Sequence, residues 1–312
     1  MSHIFEALQR AEAERSGGTA QPPAESVADL LHAANLLQAA DPDREDPSLE
    51  SLAEQNLAVE APLGRDSFAA AKVLRPTPAH DSRLVCLSDQ GGLGSEQFRM
   101  LGLRLRNLRE KRPLRRIVVT STIPVEGKST IAANLALNQA RSKVLKTLLV
   151  DGDLRRPSLA SRFGMSRSLP GLVECLRGER QLSEVVYKLE GSGLWFLPAG
   201  LPPENPLELM QTGRMADLLD RLGSFFDWVI IDSPPLIPLA DTTLWAKLSD
   251  GVLMVVREGV SEKKPLKRAL ESLDPSMLLG VIVNSCSGDH KNYYQRYAPV
   301  AVQSEEVSSP SH

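Results

Sequence analysis

The sequence predicts an α/β domain built on a doubly wound, mostly parallel sheet. Three observations predict it. From Pro113 onward, short β-branched runs alternate with longer segments of helical periodicity. The runs are apolar almost throughout, as strands covered on both faces must be. Aspartates stand where several of these strands would end, which is where such sheets handle ligands. The spacing predicts strands at 116–121, 146–151, 194–198, 228–232, 251–256 and 279–283. Helices fit between them near 128–141, 205–222, 238–248 and 262–273, and no internal repeat is visible. Just ahead of the first strand, residues 95–112 read as a basic amphipathic helix with Phe98, Leu101, Leu105 and Leu108 on one face.

Composition bounds the rest. At 312 residues and 42% hydrophobic content, the chain can form one large domain or two modest ones. Its apolar runs, such as 116–120 and 228–231, fall far short of the ~20 residues a spanning helix needs. The start, MSHIFEALQRAEAER, lacks the apolar stretch of a secretory signal. Cys86, Cys175 and Cys286 are far apart and show no CxxC spacing, which excludes a disulfide scaffold or zinc ribbon and suits a reducing cytosol. The five histidines do not cluster, which argues against a His/Cys metal centre.

The net charge of −3 conceals two unequal parts. Residues 1–95 carry seven Lys/Arg against fifteen Asp/Glu, with seven prolines and two aromatics, Phe5 and Phe68. Such a segment buries too little apolar surface to offset its ordering entropy, so 16–95 is expected to be largely disordered linker. Two stripes within the first forty residues read as short helices: Ile4, Phe5, Leu8 and Ala11 over 2–15, and Val27, Leu30, Leu31, Ala34 and Leu37 over 27–40. Each is either a docking helix that folds on a partner, or a transient helix, or one packed on its own domain. The division is therefore 1–95 as extension, 96–289 as the α/β domain, and 290–312 as a polar tail.

The most informative stretch is RIVVTSTIPVEGKSTIAANLA, 116–136. A β-branched strand runs into a turn, then GKST, then a helix, which is the context of a phosphate-binding loop and implies a P-loop NTPase domain. Backbone N–H groups of Val125, Glu126, Gly127, Lys128, Ser129 and Thr130 would cradle the phosphates of ATP. Lys128 supplies a cation to the β- and γ-phosphates and the Ser129 hydroxyl a ligand for Mg²⁺. The usual pattern opens with glycine, and Thr122 stands there instead. An ordinary strand–turn–helix would not explain a lysine at a helix start, where the dipole disfavours cations.

Two more strands end in acid. KTLLVDGDLRRPSL carries Asp151 and Asp153, spaced so that both carboxylates can reach one metal–phosphate centre, and FDWVIIDSPP ends in Asp232. A single strand-end aspartate is as readily a turn former. Three beside a phosphate loop form a site.

These motifs, in this order, resemble the bacterial tyrosine kinases, P-loop enzymes linked to capsule and exopolysaccharide synthesis. The resemblance extends over about 95–297 and includes 198–210, 249–259 and 278–287. It implies that Lys128 and Ser129 bind phosphates and Mg²⁺, that Asp151 is the candidate base for a tyrosine hydroxyl, that Asp153 is a metal ligand and that Asp232 is the Walker B residue holding Mg²⁺. The family's acceptors are C-terminal tyrosines phosphorylated by a neighbouring subunit. Here three of four tyrosines, Tyr293, Tyr294 and Tyr297, fall within five residues near the C-terminus. The family's oligomerisation motif, ExxRxxR, is matched by Glu96 and Arg99 but has Gly102 at its last position. The resemblance further implies a homo-oligomer, a phosphatase counterpart, and a cytoplasmic kinase recruited to the inner face of the membrane by a membrane-embedded polysaccharide co-polymerase that activates it.

Rival readings remain. ATPase switches of the MinD/ParA type share the motif order, but they place a lysine five residues before the loop lysine, where this chain has Ile123. An ATP-binding scaffold that regulates polysaccharide machinery would use the same loop. Nucleic-acid binding by the arginines of 104–116 is disfavoured, because the domain is only mildly basic and lacks interleaved aromatics.

Overall fold

Side chains alternate across a strand, so a run of consecutive apolar residues has to be covered on both sides. The computed structural model describes residues 68–285, apart from 80, 90, 143, 212 and 238–240. Its strands are β1 (Val73–Leu74), β2 (Arg116–Ser121), β3 (Thr147–Asp151), β4 (Tyr187–Leu189), β5 (Leu194–Leu197), β6 (Trp228–Asp232), β7 (Gly251–Arg257) and β8 (Leu278–Asn284). They form one sheet in the order β1-β4-β5-β3-β6-β2-β7-β8. The pairing of β4 with β5 is antiparallel and the others are parallel.

Val118, Leu148, Val150, Val229, Ile231, Val252 and Met254 face one layer. It is built from α5 (Leu172–Arg177), α6 (Leu182–Val185), α8 (Gly213–Phe225), α9 (Asp241–Lys247) and α10 (Lys263–Glu271). Ile117, Val119, Leu149, Phe196, Trp228, Ile230 and Val255 face the other, beneath α1 (Val85–Ser88), α2 (Leu93–Arg109) and α3 (Lys128–Ala140). Each fully buried Val, Leu, Ile or Phe contributes about 1.5–3 kcal/mol relative to exposure, so the two layers together set the register of the central strands. The face of α2 expected to be apolar is the one that packs: Leu105 is buried and Phe98, Leu101 and Leu108 lie against the core. Among the described residues, no helix is long and apolar enough to cross a membrane.

Some sequence expectations need correction. The linker reading of 16–95 extends too far, because the described part of that segment, from Phe68, belongs to the fold. Phe68 is buried among Trp195, Phe225 and Phe226, with ring centroids 4.7–5.9 Å apart. β1 pairs with β4, and Leu84 and Cys86 enter the core. A few well-placed apolar residues dock this segment, and averaging over a polar window hid them. The helix expected over 205–222 is two, α7 (Pro206–Met210) and α8; of the helix expected over 238–248, Asp241–Lys247 is helical and 238–240 lie outside the described residues. The short elements α4 (Leu159–Arg162), α5, α6 and β4 were not anticipated, being too brief to show a period. Gly102 is buried against α3, where a Cβ would approach Asn138 Nδ2 to 2.5 Å. An arginine at that point of the oligomerisation motif would not fit this helix crossing. The stretches 2–15 and 27–40 lie outside the described residues.

Candidate active site

The loop between β2 and α3 is shaped by two left-handed residues. Gly127 has φ +96°, where only glycine is unstrained, and its missing Cβ leaves room for the Asn284 amide. Val125 has φ +71°, a genuine outlier for a β-branched residue, and is 79% exposed. Strain of this kind persists only where surrounding contacts over-determine it. Glu126 supplies those contacts. Its side chain is fully buried; Oε2 accepts the Ile123 N–H at 2.9 Å and Oε1 accepts the Ser261 hydroxyl. Asn284 Nδ2 donates to the Glu126 carbonyl at 2.9 Å, and Arg257 Nη1 donates to the Val125 carbonyl at 3.4 Å. The Glu126 carboxylate is thus committed to holding the loop, which leaves only its backbone for a ligand. No side chain caps the N-terminus of α3, so its first N–H groups are left for an anion.

Val125, Gly127, Lys128, Ser129, Thr130 and Asp153 line a cavity of about 780 Å³ at the carboxyl ends of the strands. Sheet register brings the acids together: Asp151 of β3 lies beside Asp232 of β6. The Gly152 N–H donates to the Asp232 carbonyl at 2.7 Å, and the buried Trp245 indole donates to the Gly152 carbonyl at 3.1 Å, locking the two strand ends. Lys128 Nζ sits 3.1 Å from Asp153 Oδ2, 4.0 Å from Asp232 Oδ1 and 3.4 Å from Ser129 Oγ. Four of the expected residues therefore converge on one point.

Asp151 and Asp232 are fully buried beneath the cavity wall. Asp151 Oδ2 accepts the N–H groups of Ser158 and Leu159 at 3.2 and 2.9 Å, while Oδ1 has no partner. Burial first, then the neighbouring Asp232, pushes its carboxyl up to about 8. Burial likewise raises Asp232, against the pull of Lys128 and of the Ser129 hydroxyl, and neither of its oxygens has a hydrogen-bond partner within 3.5 Å. Burial works against the Lys128 charge, but Asp232 and Asp153 outweigh it and hold its ammonium above the ordinary range.

No group of three His, Cys, Asp or Glu able to cage a metal is present among the described residues. A hydroxyl with one or two carboxylates nevertheless suits Mg²⁺, which keeps waters and phosphate oxygens as its other ligands. The oxygens of Asp232, with no hydrogen-bond partner within 3.5 Å, fit that use.

Several residues of the site carried no sequence signal. Arg83, Arg155, Arg156, Arg162 and Arg257 ring the cavity. Arg155 is tied to the buried Asp241 by two hydrogen bonds, at 2.6 and 3.1 Å. Asn284 was findable, because it ends a strand on the ligand side of the sheet. Arg83 was not, since it falls in the segment assigned to linker.

No protein-family model matches the sequence. Comparison with known proteins decides the matter. The chain is 32% identical over 203 residues to the tyrosine-protein kinase YwqD of Bacillus subtilis, covering 64% of this chain and 85% of that one. The chain belongs to the bacterial tyrosine-protein kinases. It is also 30% identical over 188 residues to the tyrosine-protein kinase CpsD of Streptococcus agalactiae, covering 58% of this kinase and 82% of its relative. Among solved structures, the BceF tyrosine kinase domain is 32% identical with a TM-score of 0.58, over 64% of this kinase and 81% of that chain. The kinase domain of Escherichia coli ETK is 25% identical with a TM-score of 0.60, over 66% and 82%. The enzyme is accordingly a protein-tyrosine kinase on a nucleotide-binding P-loop fold.

Proposed function

We propose that this kinase transfers the γ-phosphate of Mg²⁺-ATP to its own tail tyrosines, Tyr293, Tyr294 and Tyr297, in a neighbouring copy of the chain. The observation that carries the reading is the convergence of Lys128, Ser129, Asp153 and Asp232 at the ends of β3 and β6 beside the phosphate loop. Lys128 and the uncapped N–H groups of α3 bind phosphate oxygens. Ser129, Asp153 and Asp232 would hold Mg²⁺, which neutralises charge on the transferred group. With phosphates present, Lys128 exchanges its carboxylate partners for phosphate oxygens. Asp151, the candidate base, is positioned by two backbone N–H groups on one oxygen, and it has to give up the proton that burial holds on it before Oδ1 can take one from the phenol. The tyrosine oxygen bonds to the γ-phosphorus, the β–γ bridging bond breaks, and ADP leaves with the electron pair.

The tail tyrosines lie outside the described residues, and the described tyrosine is unsuited as acceptor. Tyr187 is buried, and its hydroxyl donates to the Pro170 carbonyl at 3.3 Å. The kinase would serve capsular or exopolysaccharide synthesis and export, acting at the inner face of the membrane with a membrane-embedded co-polymerase as activator. A homo-oligomer and an opposing phosphatase complete the cycle, and no nucleic acid is involved. The test is mass spectrometry of the full chain after incubation with Mg²⁺-ATP, with and without a cytoplasmic activator fragment. Phosphate on Tyr293, Tyr294 or Tyr297 is expected, and Phe at all three should remove most of it. ATP hydrolysis without phosphotyrosine, even with activator present, would turn the assignment toward an ATPase switch.

A further inference from the structure

Arg83 reaches the nucleotide cavity from the segment that precedes α2, and its backbone is strained to do so. It has φ +57°, a left-handed conformation that a non-glycine residue adopts at a cost. Asn134, fully buried on α3, holds it there. The Asn134 Nδ2 donates to the Arg83 carbonyl at 2.9 Å and to the Thr130 carbonyl at 2.9 Å. Its Oδ1 accepts the Cys86 N–H at 2.9 Å. One buried amide therefore fixes the arginine against the helix that starts at the phosphate loop.

Arg83 shares the cavity wall with Arg156, Arg162, Thr130 and Ser158. Arg162 Nη1 donates to the Thr130 hydroxyl at 3.0 Å, while its buried Nε has no partner. The guanidinium groups of Arg83 and Arg156 make no hydrogen bond or ion pair with any described residue. Asp81 lies on the same wall and pairs with neither. Like charges gathered around a concave site repel one another until an anion joins them, and guanidinium forks match phosphate oxygens.

We propose that Arg83, Arg156 and Arg162 form a phosphate subsite beside the phosphate loop, which binds a phosphate group of the substrate. The chemistry has two sources in this enzyme: the phosphate chain of the nucleotide, or a phosphotyrosine already made on the tail beside the next acceptor. The second source rests on the autokinase reading above; the first does not.

The test uses the full chain with Arg83→Gln, Arg83→Lys and Arg83→Gly. One arm titrates a fluorescent ATP analogue with Mg²⁺. The other titrates, onto nucleotide-loaded protein, a peptide spanning 289–300 with and without phosphate on Tyr294. Arg83→Gln is expected to weaken binding about tenfold in one arm, with Arg83→Lys partly restoring it. Loss in the nucleotide arm assigns the subsite to ATP, and loss confined to the phosphorylated peptide assigns it to phosphotyrosine. Arg83→Gly relieves the left-handed strain, so its Tm should hold or rise while the same affinity falls, which a structural role would not produce. Dissociation constants within twofold of wild type in both arms would overturn the proposal. The nucleotide arm reads out whether or not the protein makes phosphotyrosine, so failure of the autokinase reading is separately visible.

Discussion

Replacing Asp151 by asparagine should stabilise the protein in buffer free of nucleotide and Mg²⁺, and more so as pH rises. Asn Oδ1 can keep accepting from Ser158 and Leu159, and its amide takes the place of Oδ1, which has no partner. That amide lies beside Asp232, whose oxygens have no hydrogen-bond partner within 3.5 Å. The folded wild type keeps the Asp151 proton up to about 8, against an ordinary value of 3.8. A folded pKa raised above the unfolded one gives stability that is fully present below the unfolded value. It is lost as pH rises through the folded value. Between those values folding takes up about one proton, so wild-type stability falls by about 1.4 kcal/mol per pH unit from this group alone. From pH 5.5 to 7.5 the loss is about 3 kcal/mol, or about 6–12 °C in Tm for a domain of this size. The asparagine variant lacks that slope, and its Asp232 titrates without the acidic neighbour it has in the wild type. Thermal unfolding of the two proteins across that range, with chelator present, measures the difference. Parallel Tm profiles would refute the claim that Asp151 is held protonated by burial. The variant should also keep nucleotide binding and lose phosphoryl transfer; full transfer would remove Asp151 as the base.

Lys128→Met should abolish ATP binding and phosphotyrosine together, as read by nucleotide titration and anti-phosphotyrosine blot; retained phosphotyrosine would refute its role. Glu126→Ala leaves the half-buried Ile123 N–H and Ser261 hydroxyl without their acceptor, at about 1 kcal/mol for each bond lost. The loop should loosen and the ATP dissociation constant rise about tenfold or more, whereas an unchanged constant would show that the loop holds its shape without Glu126. Phe68→Ala should cost about 3–5 kcal/mol in urea unfolding, because the ring is packed among three aromatics. A loss under 1 kcal/mol would return this segment to the linker.

The parallel sheet, the phosphate loop and the three strand-end acids were legible in the chain because each is a local pattern. Apolar runs mark buried strands, GKST between a strand and a helix marks an anion site, and Asp151, Asp153 and Asp232 each close a run whose direction is fixed by the sheet. Local patterns also specified which face of α2 would pack. What only the tertiary structure decided is what those residues do to one another. That Asp151 and Asp232 are neighbours depends on β3 pairing with β6, two strands far apart in sequence. That Glu126 holds the loop rather than facing the ligand depends on Ser261 arriving from the turn after β7 and Asn284 from the end of β8. Arg83 lines the cavity with its carbonyl held against α3 by one buried amide, Asn134, 51 residues away in sequence. Pairing, burial and desolvation act between residues distant in sequence, and a sequence pattern records only the propensities of neighbours.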